Sequence, residues 1–213
     1  MSIPWIKASM LLLWGIGLGW TVETSLEILP PSVYRSGIEL HIGMPLMTKK
    51  ITEGIEQDTA FHAEVIWRPP RAFPPRDFVN LHIGLGIAGG YQDGASADTA
   101  VELIHTTARY HLGADLDFSP NLRLALVPYI GLGVAYLGVD DARNLQAIDG
   151  VDLAWEAGVK ASLEVTVGQM TIGGGVGFRH YRSSHDFLEG FGGTTLKVKQ
   201  DVVEGFFVFG WTF

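Results

Sequence analysis

"ARYHLGADLDF", Ala108 to Phe118, alternates from end to end. Ala108, Tyr110, Leu112, Ala114, Leu116 and Phe118 fall on one face; Arg109, His111, Gly113, Asp115 and Asp117 fall on the other. A repeat of two is the period of a β-strand, whose successive side chains leave opposite faces. The stretch therefore predicts a strand with one apolar and one ionic face. "FVNLHIGLGI" (Phe78 to Ile87) repeats the pattern, with Val79, Leu81, Ile83, Leu85 and Ile87 set against Asn80, His82, Gly84 and Gly86. "VDLAWEAGVKASLEVTV" (Val151 to Val167) sustains it well past the usual ~5–6-residue strand.

About eight such segments follow one another, near 37–47, 61–68, 78–92, 106–118, 121–138, 151–167, 169–182 and 198–213. "SPN" (Ser119 to Asn121) and "VGQ" (Val167 to Gln169) read as tight turns, and "PPRAFPPRD" (Pro69 to Asp77) as a compact Pro-rich link. Longer polar connections are expected around 48–60, 93–105, 139–150 and 183–197. Short and long links alternating is the pattern of an up-and-down antiparallel barrel in an outer membrane. A soluble lipocalin-like periplasmic carrier also has two-faced strands, but with the apolar face inward. Three features favour the membrane. Several segments reach the ~9–11 residues that a tilted crossing needs. Glycines 84, 86, 131, 133, 173, 175 and 177 crowd the non-apolar face, as expected where a narrow lumen holds larger side chains from opposite strands. Aromatics such as Trp67, Tyr91, Phe118, Tyr136, Phe178, Trp211 and Phe213 fall near segment ends, where interfacial girdles sit.

Composition agrees. The 213-residue chain suits one domain, and its formal charge of -8 argues against a nucleic-acid partner. There is no cysteine, hence no disulfide or thiolate site. Lys7 followed by the apolar "MLLLWGIGLGW" (Met10 to Trp20) reads as an export signal over 1–19, shorter than the ~20 apolar residues of a comfortable bilayer span, with an uncleaved anchor as the alternative. A periplasmic segment is expected over 20–36 and the barrel over 37–213, placing the protein in a bacterial outer membrane.

The last segment, "GFFVFGWTF" (Gly205 to Phe213), sets Phe207, Phe209, Trp211 and Phe213 on one face. It resembles the closing strand through which bacterial outer-membrane β-barrels are recognised by their assembly machinery, and the architecture resembles the small OmpA-like and OmpX-like barrels. The expected role is structural or surface contact through the loops near 48–60, 93–105, 139–150 and 183–197, with outer-membrane lipid and lipopolysaccharide as the expected partners.

"GLGIAG" (Gly84 to Gly89) satisfies the dinucleotide fingerprint G-x-G-x-x-G, but inside an alternating strand rather than at a turn opening a helix; no cofactor is expected. "GFRHYRSSHDF" (Gly177 to Phe187) resembles the segment that carries the catalytic His and Ser of outer-membrane lipid A deacylases. Aligned through Gly177 and Arg179, the family's Ser falls on Ser184, its His on Arg182 and its Asn on His185. Arg182 is permanently cationic, so a base would have to be His180 or His185, oriented by Asp186 or Glu189. A lipopolysaccharide-modifying hydrolase is thus the alternative function, with Ser184, His180 and His185 as its catalytic candidates. The expectation adopted is a non-enzymatic strand tip at which Arg179, His180 and Arg182 meet lipopolysaccharide phosphates. On the inner face, Glu39, Glu64, Asp115, Asp117, Glu156, Glu164 and Glu204 would share space with Arg68, Arg109, Arg123, Lys160 and Arg179, and with His41, His62, His82 and His111. These are expected to pair into a plug rather than hold a metal.

Overall fold

The computed structural model describes residues 36–46, 50–52, 55–70, 79–96, 98–141, 146–187 and 194–213. The export signal, the periplasmic segment short of its last residue and most of the Pro-rich link lie outside these residues.

The strands are β1 (Gly37–Pro45), β2 (Lys50–Thr52), β3 (Ile55–Arg68), β4 (Val79–Ala95), β5 (Thr99–Ser119), β6 (Leu122–Asp141), β7 (Gln146–Val167), β8 (Met170–Phe187) and β9 (Thr194–Thr212). Each of the long strands pairs antiparallel with its neighbours, and β1 pairs with both β9 and β3. That double pairing closes eight long strands into a barrel, with β2 as a three-residue addition to β3. Each long strand thereby has a partner on both sides, which is how a barrel removes its sheet edges.

Both tight turns form at the expected places. Ser119 Oγ accepts hydrogen bonds from the backbone N–H groups of Asn121 (3.3 Å) and Leu122 (3.1 Å), joining β5 to β6. Gly168, between β7 and β8, has φ +63°, a conformation that glycine adopts without a Cβ clash.

Orientation follows the alternation. Arg109, His111 and Asp115 of β5 are buried inside, whereas Tyr110, Leu112 and Phe118 are exposed outside, Leu112 at 50%. Leu81, Leu85, Ile87, Val159 and Leu163 also face outward. The arrangement of a soluble carrier, apolar inside and ionic outside, is the reverse of this.

Two expectations differ from what is found. First, the stretches 93–105, 139–150 and 183–197 are largely strand: β4, β6 and β8 run on to Ala95, Asp141 and Phe187, and β5, β7 and β9 resume at Thr99, Gln146 and Thr194. Within 48–60, likewise, β3 already begins at Ile55. The reason is a change of polarity without a change of register. In lower β5 the apolar residues Leu112 and Tyr110 point out, while in upper β5 the apolar residues Val101 and Leu103 point in. With Ile51, Ala135, Leu137, Ala154, Tyr181 and Val198 they form an apolar core inside the upper barrel. Above the lipid the wall meets water outside, so its polarity becomes that of a soluble sheet.

Second, the luminal glycines make room mainly for neighbouring strands rather than opposite ones. Gly113 lies directly across from His82, and Gly90 across from His105. A methyl group at either glycine would collide with the facing imidazole. Gly131 sits between Arg109 and Glu156 in the same cross-strand row. Gly84 and Gly86 face inward within β4, so the G-x-G-x-x-G spacing belongs to a strand.

Candidate functional site

Two regions hold the chemistry: the lumen, and the outer face just above the apolar band. In the lumen, Arg109 (β5) donates through Nε to Glu156 Oε1 (2.6 Å), through Nη2 to Glu156 Oε2 (2.8 Å) and through Nη1 to Glu64 Oε2 (2.9 Å). Its guanidinium also lies 4.4 Å from the centroid of the Tyr129 ring. Glu64 (β3) is further paired with Lys160 (β7) and with His111 Nε2 (2.7 Å). Toward the turn end, Arg123 (β6) bridges Glu164 (2.5 Å) and Glu39 of β1 (3.0 Å), and Arg68 joins Glu39 (2.9 Å).

The strand order makes two of these contacts diametric. Around a ring of eight long strands, β3 is opposite β7 and β1 is opposite β6. The Glu64–Lys160 and Glu39–Arg123 pairs therefore cross the barrel axis. Higher up, Arg179 (β8) shares a hydrogen bond with His105 (β5) at 3.0 Å, and Gln200 Nε2 (β9) donates to Gln92 Oε1 (β4) at 2.8 Å. Among the described residues, no three metal-capable side chains form a ligand set.

On the outside, β9 presents Val203, Gly205, Phe207, Phe209, Trp211 and Phe213 in succession before reaching Asp201, Lys199 and Lys197. Ten residue steps at ~3.3 Å, tilted by ~40°, give a band about 25 Å tall, the height of the apolar belt on outer-membrane barrels. Aromatics also stand on the outward face of β3, β4 and β6. Phe61 and Tyr91 are directly paired and their rings stack at 5.8 Å, and Tyr136 lies two strands further on. Water does not tolerate a continuous apolar belt of this extent on a closed barrel; acyl chains do. The protein is an outer-membrane β-barrel.

Its eight long strands run up and down in sequence order around one closed ring. Solved structures similar to this barrel include Ail, the attachment invasion locus protein of Yersinia pestis (TM-score 0.46, 11% identity, covering 85% of this chain and 99% of that one). A major outer membrane protein from Thermus thermophilus is similar at TM-score 0.47 and 10% identity, over 84% of this chain and 98% of that one. The outer membrane enzyme PagL is similar at TM-score 0.37 and 10% identity, over 82% and 98%. No family model and no curated protein matches the sequence.

The residues singled out on β8 divide between the two faces of the barrel wall. Arg179 is 1% exposed and turned into the lumen against His105, away from any headgroup. His180 faces outward, its Nδ1 2.5 Å from Asp201 Oδ1 on β9. Arg182 also faces outward, with its guanidinium 5.5 Å from the Trp155 ring centroid. Ser184 is exposed on that same face. His185 is buried on the other, where its Nε2 shares a 2.9 Å hydrogen bond with Ser183 Oγ. Ser184 and His180 are four residues apart along one strand, about 13 Å, so neither candidate base reaches the Ser184 hydroxyl. The Ser–His contact that does form, Ser183 with His185, escapes the motif comparison because it lies two residues apart on the luminal face.

The outer surface above the band is divided by charge. On β7 to β9, Arg182 lies directly opposite Lys199, and Ser184 directly opposite Lys197. Asp201 is the neighbouring carboxylate above the band; the hydrogen bond from His180, and then the charges of His180, Lys199 and Arg182, hold it below the usual carboxylate range. Around β3 to β7, a shallow outward cavity of about 500 Å³ is lined by Asp58, Tyr91, Asp93, Glu102, Tyr136 and Asp140, among others. Asp93 and Glu102 are directly paired there. Sequence reasoning misses the lysines at 197 and 199 as site residues, because in one dimension nothing ties them to Arg182.

Proposed function

We propose that this outer-membrane barrel is a structural, surface-contact protein whose lumen is closed by its own side chains. The observation that carries the reading is the pair of diametric ion contacts, Glu64–Lys160 and Glu39–Arg123, between side chains that fill the axis instead of lining it. The apolar core above them, built on Ile51, Leu103, Leu137 and Tyr181, supports closure at the outer end as well. Eight-stranded barrels are just wide enough to be filled in this way. Lipopolysaccharide is the expected partner of the outer face, and β9, which closes the barrel against β1, is the strand the assembly machinery would engage. The hydrolase alternative draws no support from the placement of Ser184, His180 and His185.

Closure is tested by conductance. Purified full-length protein refolded in detergent and added to planar bilayers should give no long-lived open steps, while a charge-removing Lys160→Ala/Arg123→Ala variant should flicker open. Stable conductance from the wild type would contradict a closed lumen.

A further inference from the structure

Three cations sit together outside the barrel. Arg182 and Lys199 are direct cross-strand partners on the outward face, and Lys197 is one pleat higher on the same face. Directly opposed residues have Cβ atoms about 4.5–5.5 Å apart, and like charges in that relation destabilise a sheet. Beside Arg182 and Lys199, Asp201 is engaged by His180 at 2.5 Å. The excess of positive charge at these positions favours an anionic group from outside the chain.

Height limits what that anion is. Trp155, Arg182 and Lys199 are successive register partners across β7, β8 and β9, and Arg182 and Lys199 each lie four residues above the directly paired Phe178 and Val203 of the apolar band. The Arg182 guanidinium lies beside the Trp155 indole, the kind of aromatic that marks the level where acyl chains end and headgroups begin. Below the row come Phe178, Val203 and the rest of the apolar band; one pleat above it, the Ser184 hydroxyl faces Lys197 across the strands. Arg supplies a planar fork matched to phosphate oxygens, and the two lysines add mobile donors.

We propose that Arg182, Lys197 and Lys199, with Ser184 as an accessory hydroxyl donor, form a binding site for a phosphate group on the glycolipid of the outer leaflet. This rests on the outer-membrane reading above and deepens it by assigning the site to one side of the barrel. The opposite side, with Asp93 and Glu102 directly paired and Asp58, Asp140 and Asp149 around the same cavity, repels such a group. The barrel is thereby oriented against its lipid annulus, with one phosphate-holding flank and one phosphate-excluding flank.

The test uses the full-length protein refolded in uncharged detergent micelles and titrated with bisphosphorylated lipid A, with dephosphorylated lipid A, or with inorganic phosphate, bound fractions being read by native mass spectrometry. The wild type should prefer the phosphorylated lipid by about tenfold or more, the factor that corresponds to ~1.4 kcal/mol. An Arg182→Gln/Lys197→Gln/Lys199→Gln variant should lose that preference, and an Asp93→Asn/Glu102→Gln/Asp149→Asn variant should keep it. Lys199→Gln alone should lower it part-way, and stands in for the triple variant if that chain does not refold. A basic-flank variant with undiminished preference would overturn the site. So would inorganic phosphate displacing the lipid at equal concentration, which would make this a simple anion site. Failure of the underlying reading looks different: the wild type would then show no heat-modifiable barrel on a gel and would take up neither lipid.

Discussion

Arg109 shows how a permanent charge is held inside a barrel wall. It is 2% exposed, and every face of its guanidinium is occupied: Glu156 on one edge, Glu64 on another, His62 Nε2 at 2.9 Å and the Tyr129 ring against its plane. Removing one partner from such a pair leaves a buried charge uncompensated, which costs about 3–5 kcal/mol. Arg109→Ala should therefore lower stability by about that amount in urea titrations from micelles. Arg109→Ala/Glu156→Ala should cost less than the sum of the single variants, with a coupling of up to ~3 kcal/mol. A single-variant loss under about 1 kcal/mol would mean that the network does not carry the interior. The inward direction of Arg109, Glu64, Glu156 and Lys160 is legible in the sequence, because each occupies the non-apolar phase of an alternating run. Their pairing is not. Glu64 and Lys160 are 96 residues apart, and Arg123 and Glu39 are 84 apart. Only closure of the ring and the register of each ladder bring them to one height.

At the scale of the element, the long strands are two materials joined end to end. The alternation that identifies lower β5 is apolar-out, and the alternation of upper β5 is apolar-in. A reader following the outward apolar set loses the strand where the set changes face, which is why 93–105 and 139–150 read as loops in one dimension. The same boundary hides Lys197 and Lys199, which stand on the upper, water-facing part of β9. It also separates Ser184 from the residues that a hydrolase would need, since consecutive strand positions enter opposite environments. The boundary has a measurable consequence on β5. Leu112→Arg, in the apolar band, should cost about 2–4 kcal/mol, as cations near the bilayer midplane do. Glu102→Arg, on the same face ten residues up the strand, should stay within about 0.5 kcal/mol of wild type. Equal costs in reversible unfolding from phospholipid vesicles would place both residues in the same solvent.

For the molecule as a whole, the period-two reading suffices for the architecture because almost every described residue sits in one continuous ladder, with no helix among them to position. What the period cannot convey is the distribution of charge around the circumference: a basic flank on β8 and β9 and an acidic one on β3 to β7. That asymmetry depends on which strands are neighbours after closure, as does the filling of the lumen. Both rest on a single structural statement, that the apolar faces of the lower strands look outward into acyl chains and the ionic faces look inward. The absence of native cysteine allows this to be measured without a cysteine-free background. Single cysteines at Leu81, Leu112, Val159, Glu102 and Lys199, spin-labelled in the protein reconstituted into vesicles, would be compared for collision with oxygen and with a water-soluble nickel complex. Labels at 81, 112 and 159 should collide with oxygen and escape nickel, while labels at 102 and 199 should do the reverse. Nickel-accessible labels at 81, 112 and 159 would contradict a membrane-facing wall.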